Sequence, residues 1–162
     1  MPLPESEAPP RPARAERAYP VSSREDALVI GREAQRLGVV FGLTRTRAAE
    51  LAIVVSELAS NIAKYGVKGE IALSFDPESD GDVRVVARDV GPPFRDLELA
   101  KTDGCDDRGP IDPAGILGRH GLGTGLGAVL RLADSFDCRQ DEAGKEITVL
   151  FPRESLSKRR RS

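Results

Sequence analysis

Two pairs of short apolar segments, each joined by a connector too tight for a crossover, decide most of what this chain can become. Residues 70–75 and 82–89 flank Asp76-Pro77-Glu78-Ser79-Asp80-Gly81, while residues 135–139 and 146–151 flank Asp141-Glu142-Ala143-Gly144. Both connectors consist of turn-forming residues, and neither can carry the chain back to a parallel partner. Each pair is therefore predicted as an antiparallel hairpin. Helical spacing fills the intervals. Ala27, Ile30, Ala34 and Leu37 share a face after the capping sequence Ser23-Arg24-Glu25-Asp26, with Gly38 as the stop. A second helix is expected from Thr46 through Tyr65, turning Leu51, Val54, Val55, Leu58 and Ile62 inward, with Gly66 ending it. A third spans 126–133. The order α-α-β-β, long loop, α-β-β belongs to an α+β fold: a two-layer α/β sandwich with helices on one face of a mostly antiparallel sheet, not a doubly wound parallel one.

The 162 residues are enough for one domain. Residues 1–20 hold six of the twelve prolines and almost nothing large and apolar, so they read as a disordered tail. Residues 154–162 close on Lys158-Arg159-Arg160-Arg161 and read as a basic, solvated tail, which leaves 21–153 as the folded domain. Basic and acidic residues nearly cancel, 24 against 26, which argues against nucleic acid as the main partner. The longest aliphatic run, residues 51–55, falls far short of the roughly 20 residues that a membrane span requires. Two cysteines, Cys105 and Cys138, and one histidine make neither an ordinary zinc site nor a disulfide framework. With a charged, Pro-rich start in place of an apolar leader, the expectation is a cytoplasmic protein with reduced thiols.

Three clusters carry chemistry. On the second helix, Glu57, Asn61 and Lys64 stand at i, i+4 and i+7 and project from one face. A carboxylate, an amide and an ammonium together suit a hard cation and a phosphate chain, although a solvated helical face also accounts for them. Asp89 ends an apolar strand ahead of Gly91, where a carboxylate can accept from a ligand amino group; an ordinary strand-ending turn has the same residues. Gly121-Leu122-Gly123-Thr124-Gly125-Leu126-Gly127 opens the third helix, and such glycines free backbone N–H groups to cradle phosphate. The stretch from Gly123 to Ala128 fits a dinucleotide fingerprint, but no apolar strand precedes it. Neither a Walker P-loop nor the motifs of the eukaryotic-type kinases are present. The Gly- and Pro-punctuated stretch 91–121 is long enough to be a functional loop.

Taken in order, Glu-x-x-x-Asn on a helix, a strand ending Asp-x-Gly, a variable loop, and Gly-x-Gly-x-Gly opening a helix resemble the GHKL (Bergerat) ATP-binding superfamily across residues 22–151. Within it, the chain is similar to the small bacterial serine/threonine kinases and anti-sigma factors, most of all to the RsbT-type switch kinases. The resemblance implies ATP and Mg2+ as cofactors and a long ATP lid. It makes Glu57 the general base, Asn61 the Mg2+ ligand, and Lys64 a neutraliser of phosphate charge. Asp89 would read the adenine amino group, with Gly91 at the pocket floor. Gly121, Gly123, Thr124 and Gly125 would hold the phosphates, with Leu122 and Leu126 as pocket walls. The implied activity is phosphorylation of Ser or Thr on a STAS-domain partner in a stress-signalling module, with a sigma factor or phosphatase as further partners. An anti-sigma factor is the first alternative. The second, a degenerate ATP-gated module, is suggested by two departures: Pro93 replaces the second Gly of Asp-x-Gly-x-Gly, and Lys145 follows Gly144 where the family often has Thr. An exposed apolar edge strand would allow a homodimer.

Overall fold

Residues 14–65, 67–77, 82–101, 105–106, 109–110 and 125–153 are described by a computed structural model. Both expected hairpins form. β2 (Gly69–Phe75) pairs antiparallel with β3 (Val83–Asp89), and β6 (Ser135–Asp141) with β7 (Gly144–Phe151). β3 also lies antiparallel to β7, which welds the two hairpins into one sheet.

The N-terminal boundary differs from expectation. Ala15–Val21 is not disordered; it forms β1, which pairs antiparallel with β2 and completes the order β1-β2-β3-β7-β6. Only Val21 is fully enclosed, with Ala15 and Tyr19 packed partly against the core. The strand is held mainly by main-chain hydrogen bonds, which composition does not reveal. Its proline, Pro20, is tolerable because β1 is an edge. The remainder of both expected tails, 1–13 and 154–162, lies outside the described residues.

Alternation along the strands sends Ile71, Leu73, Phe75, Val83, Val85, Ile147, Val149 and Phe151 to one side, all buried. Three helices cover that side: α1 (Arg24–Val40), α2 (Arg45–Tyr65) and α4 (Leu126–Leu132). The central helix, α2, packs on β1, β2, β3 and α4, and α1 packs on α2 and β1. Phe41 stacks on Phe75 with ring centroids 4.8 Å apart. Arg47 is buried with its guanidinium 4.0 Å over the Phe151 ring, pairs with Glu50, and donates to the Pro152 carbonyl at 2.9 Å, pinning the end of β7 to α2.

The expected cap of α1 is present. Ser23 Oγ accepts from the Asp26 N–H at 3.2 Å, and the Asp26 carboxylate accepts from the amides of Ser22 and Ser23 at 2.9 and 3.1 Å. The stop is displaced: Gly38 is buried inside the helix, where a Cβ would meet the Ala48 Cβ at 3.1 Å, and the chain turns at Gly42 with φ +90°. The start of α2 is displaced too. Thr44, not Thr46, precedes it, its hydroxyl accepting from the Arg47 N–H at 3.1 Å. Both shifts are small-residue ambiguities: a Gly serves close packing as readily as termination, and either Thr fits the local pattern.

Between β3 and α4 stand α3 (Leu97–Ala100), capped by Asp96, and the two-residue pair β4 (Cys105–Asp106) and β5 (Gly109–Pro110). Residues 111–124, much of the expected lid, lie outside the described residues. The two sheet edges differ: β6 reads Ser-Phe-Asp-Cys-Arg-Gln-Asp and is largely polar, while β1 reads Ala-Glu-Arg-Ala-Tyr-Pro-Val and mixes apolar residues with Glu16 and Arg17. Among the described residues, no helix is long and apolar enough to cross a membrane.

Candidate functional site

The site begins at the last residue of β3. In register, Asp89 faces Gly69 of β2 on one side and Lys145 of β7 on the other. Two glycines here, Gly69 and Gly144 (the residue before Lys145), allow unusually close backbone approach. A Cβ on Gly69 would fall 2.0 Å from the Arg88 carbonyl oxygen, and one on Gly144, at φ +156°, would fall 2.2 Å from the Asp89 carbonyl oxygen. Only glycine fits at either position, so the backbone around Asp89 is set by two glycines outside Asp89-Val90-Gly91 itself.

The Asp89 side chain is buried and fully engaged on one oxygen. Its Oδ1 accepts from the Gly91 N–H at 2.8 Å and from the Lys145 ammonium at 3.0 Å, with the two side chains only 7% and 3% exposed. The same ammonium donates to the Pro92 carbonyl at 2.6 Å and lies 5.4 Å from the centre of the Phe94 ring. Phe94 is held in turn, its N–H donating to Gln140 Oε1 at 2.9 Å, while the Val90 N–H donates to the Lys68 carbonyl at 3.2 Å. Pro93, which replaces the expected second glycine, is exposed on this turn. One lysine thus ties β7 to the carboxylate and to the turn that follows it. The signal was present in the sequence: Lys145 sits in the inward-facing set Lys145, Ile147, Val149, Phe151, and a buried ammonium needs a counter-charge.

Cys138 of β6 is half-buried nearby, and burial, then the Asp137 charge, push its thiol up despite the opposing ammonium groups of Lys145 and Lys101. A thiol so shifted is a poor nucleophile, which fits a packing role.

The helical cluster grades from inside to outside. Glu57 is 8% exposed, Asn61 is half-buried, and Lys64 is exposed, its ammonium 4.9 Å from the Tyr65 ring centre. Leu126 is buried at the start of α4, and Gly125 before it takes φ +66°, a conformation that side chains avoid. Because α2 packs on both β3 and α4, one helix is shared by all three clusters. Gly121, Leu122, Gly123 and Thr124 lie outside the described residues. Among the described residues no trio of His, Cys, Asp or Glu is arranged to hold a metal. A lone amide oxygen at Asn61 fits Mg2+ delivered with a polyphosphate, since that ion keeps waters and phosphate oxygens as its other ligands. A hollow of about 720 Å³ opens at this same end of the sheet: Gly69, Asp89, Gly144 and Lys145 line it together with Glu70 and Arg88, and Arg88 bridges Glu70 and Glu146.

The two-layer fold belongs to a defined class: residues 21–151 match the histidine kinase-like ATPase domain, and the chain belongs to that family. Among particular proteins, it is 34% identical over 90 residues to the serine/threonine-protein kinase RsbT of Bacillus subtilis, a stretch covering 54% of this chain and 59% of that one. The chain thus aligns with somewhat over half the length of this relative. Two solved structures share the fold. The structure of the SiaB–SiaC complex from Pseudomonas aeruginosa matches with a TM-score of 0.55 at 17% identity, covering 85% of this chain and 88% of that one. The RsbU and RsbW domains of Rv1364c from Mycobacterium tuberculosis match with a TM-score of 0.54 at 14% identity, over 86% of this chain and 32% of that one.

Proposed function

We propose that this protein is an ATP-dependent serine/threonine kinase that transfers the γ-phosphoryl group to a Ser or Thr of a STAS-domain partner, and so switches that partner's associations. The 34% identity to RsbT carries the reading, together with family membership across residues 21–151. In this proposal Asp89 accepts from the adenine amino group through the oxygen not taken by Gly91 and Lys145, and Gly91 lines the base pocket. Asn61 holds Mg2+, which would neutralise charge on the phosphates. Lys64 adds positive charge at the exposed end of the same face. Gly121, Gly123, Thr124 and Gly125 supply phosphate contacts from the loop, with Leu122 and Leu126 beside the nucleotide. Glu57, enclosed on α2, takes the proton of the attacking hydroxyl; its burial separates it from an ordinary solvated surface charge. The partners stand at the same level: a STAS-domain phosphoacceptor, with a sigma factor or a phosphatase downstream, in the cytoplasm.

Calorimetry with Mg-ATP tests the assignments. Asp89→Asn is expected to weaken binding by about 1.5–3 kcal/mol, the worth of a hydrogen bond to a charged group. Glu57→Gln is expected to leave ATP affinity nearly unchanged while abolishing transfer to the partner. Unchanged affinity in the first variant removes Asp89 from base recognition, and retained transfer in the second removes Glu57 from the chemistry.

A further inference from the structure

The Asp89–Lys145 pair goes further than the reading just given, and rests on its assignment of Asp89 to the base. Two observations set the problem. The carboxylate receives both of its hydrogen bonds on Oδ1, from Gly91 and from Lys145. The ammonium, 3% exposed, has two of its three protons fixed, on Asp89 and on the Pro92 carbonyl. A lysine so enclosed cannot be a solvated surface charge, and nothing in the hairpin requires it: Ile147, Val149 and Phe151, the other inward residues of β7, are apolar.

We propose that Lys145 is a positioning residue that sets which base the site accepts. By saturating Oδ1 it leaves Asp89 a single acceptor, Oδ2, directed at the ligand. By holding Pro92 it fixes the turn that carries Gly91, so that this acceptor is aimed before the ligand arrives. A single fixed acceptor suits a base edge with one donor beside an acceptor, the 6-amino group and ring nitrogen of adenine. It does not suit guanine, whose adjacent ring N–H and 2-amino donors need both carboxylate oxygens together. The pair therefore favours a base that presents an exocyclic amino group beside a ring acceptor, as adenine does, over guanine, and Lys145 acts through Asp89 without touching the ligand.

The test compares Mg-ATP with the Mg complex of purine riboside triphosphate, which lacks the 6-amino group, by calorimetry on the full chain. Wild type is expected to prefer ATP by about tenfold to a hundredfold, the worth of one hydrogen bond to a charged acceptor. In Lys145→Met that preference is expected to collapse to about twofold, because the freed carboxylate turns and is no longer aimed. A merely structural lysine would lower both affinities together and keep the ratio; that result overturns the proposal. Should Lys145→Met not fold, Lys145→Gln keeps a neutral donor at the same place, and its ratio is expected to fall between wild type and unity; a ratio equal to wild type overturns the proposal there too. Failure of the underlying assignment looks different: wild type itself would bind the two nucleotides equally, or Asp89→Asn would keep the preference for ATP.

Discussion

At the scale of single residues, the site depends on groups whose cost is visible in the structure. The Asp89–Lys145 pair removes two charges from water, and removing one partner leaves the other buried without compensation. Such losses cost about 3–5 kcal/mol, so Asp89→Asn is expected to lower the melting temperature as well as the ATP affinity, and the melt must be read beside the titration. Gly69 is the quieter requirement. Gly69→Ala would drive a methyl into the Arg88 carbonyl oxygen, a backbone atom that can yield only if β2 shifts against β3. We expect a loss of about 1–3 kcal/mol by urea unfolding, with weakened ATP binding because Asp89 moves with the strand end; full stability in this variant would show that the close approach is not needed. Of these residues the sequence made Asp89 visible through its motif. Lys145 appeared there as a departure from the family pattern, and its pairing with Asp89 required the β3–β7 register, which no local pattern contains.

At the scale of elements, the hairpins and helices were legible because their periodicities are strong and their turns chemically marked. What escaped was decided by tertiary contact. β1 has a mixed sequence that becomes a strand only because β2 offers an unpaired edge. Gly38 looks like a terminator and is a packing surface against Ala48, so α1 runs on to Val40. The glycine loop, the most informative motif in the sequence, falls at residues 121–124 outside the described part, so its role rests on sequence and on Gly125 alone. The α1 cap is legible in Ser23-Arg24-Glu25-Asp26 and makes a measurable contribution. Ser23→Ala is expected to cost about 1 kcal/mol in urea unfolding. Asp26, whose pKa is lowered chiefly by the Ser22 amide, adds a pH dependence. Its folded value lies below its unfolded one, so its contribution is present above the ordinary carboxylate range and is lost as pH falls through the folded value. The stability gap between wild type and Asp26→Asn should therefore be open near neutrality and close in acid; a gap that widens on acidification would contradict the cap.

At the scale of the whole molecule, the sheet acts as a base plate for one helix. α2 carries Glu57, Asn61 and Lys64, graded from enclosed to exposed, and packs on β3, which ends at Asp89, and on α4, which starts at Leu126. The uncovered face of the sheet, with its Glu70–Arg88–Glu146 bridge, lies on the other side of that plate. The most direct test of the central claim is a capture experiment. The tagged full chain, supplied with Mg-ATP, would be used to draw partners from a lysate of the source organism, and phosphosites would be mapped by mass spectrometry for wild type and Glu57→Gln. A STAS-domain protein newly phosphorylated on Ser or Thr by wild type and left unmodified by the variant is the expected result. A captured partner that is never phosphorylated, or one phosphorylated equally by both proteins, would contradict that claim.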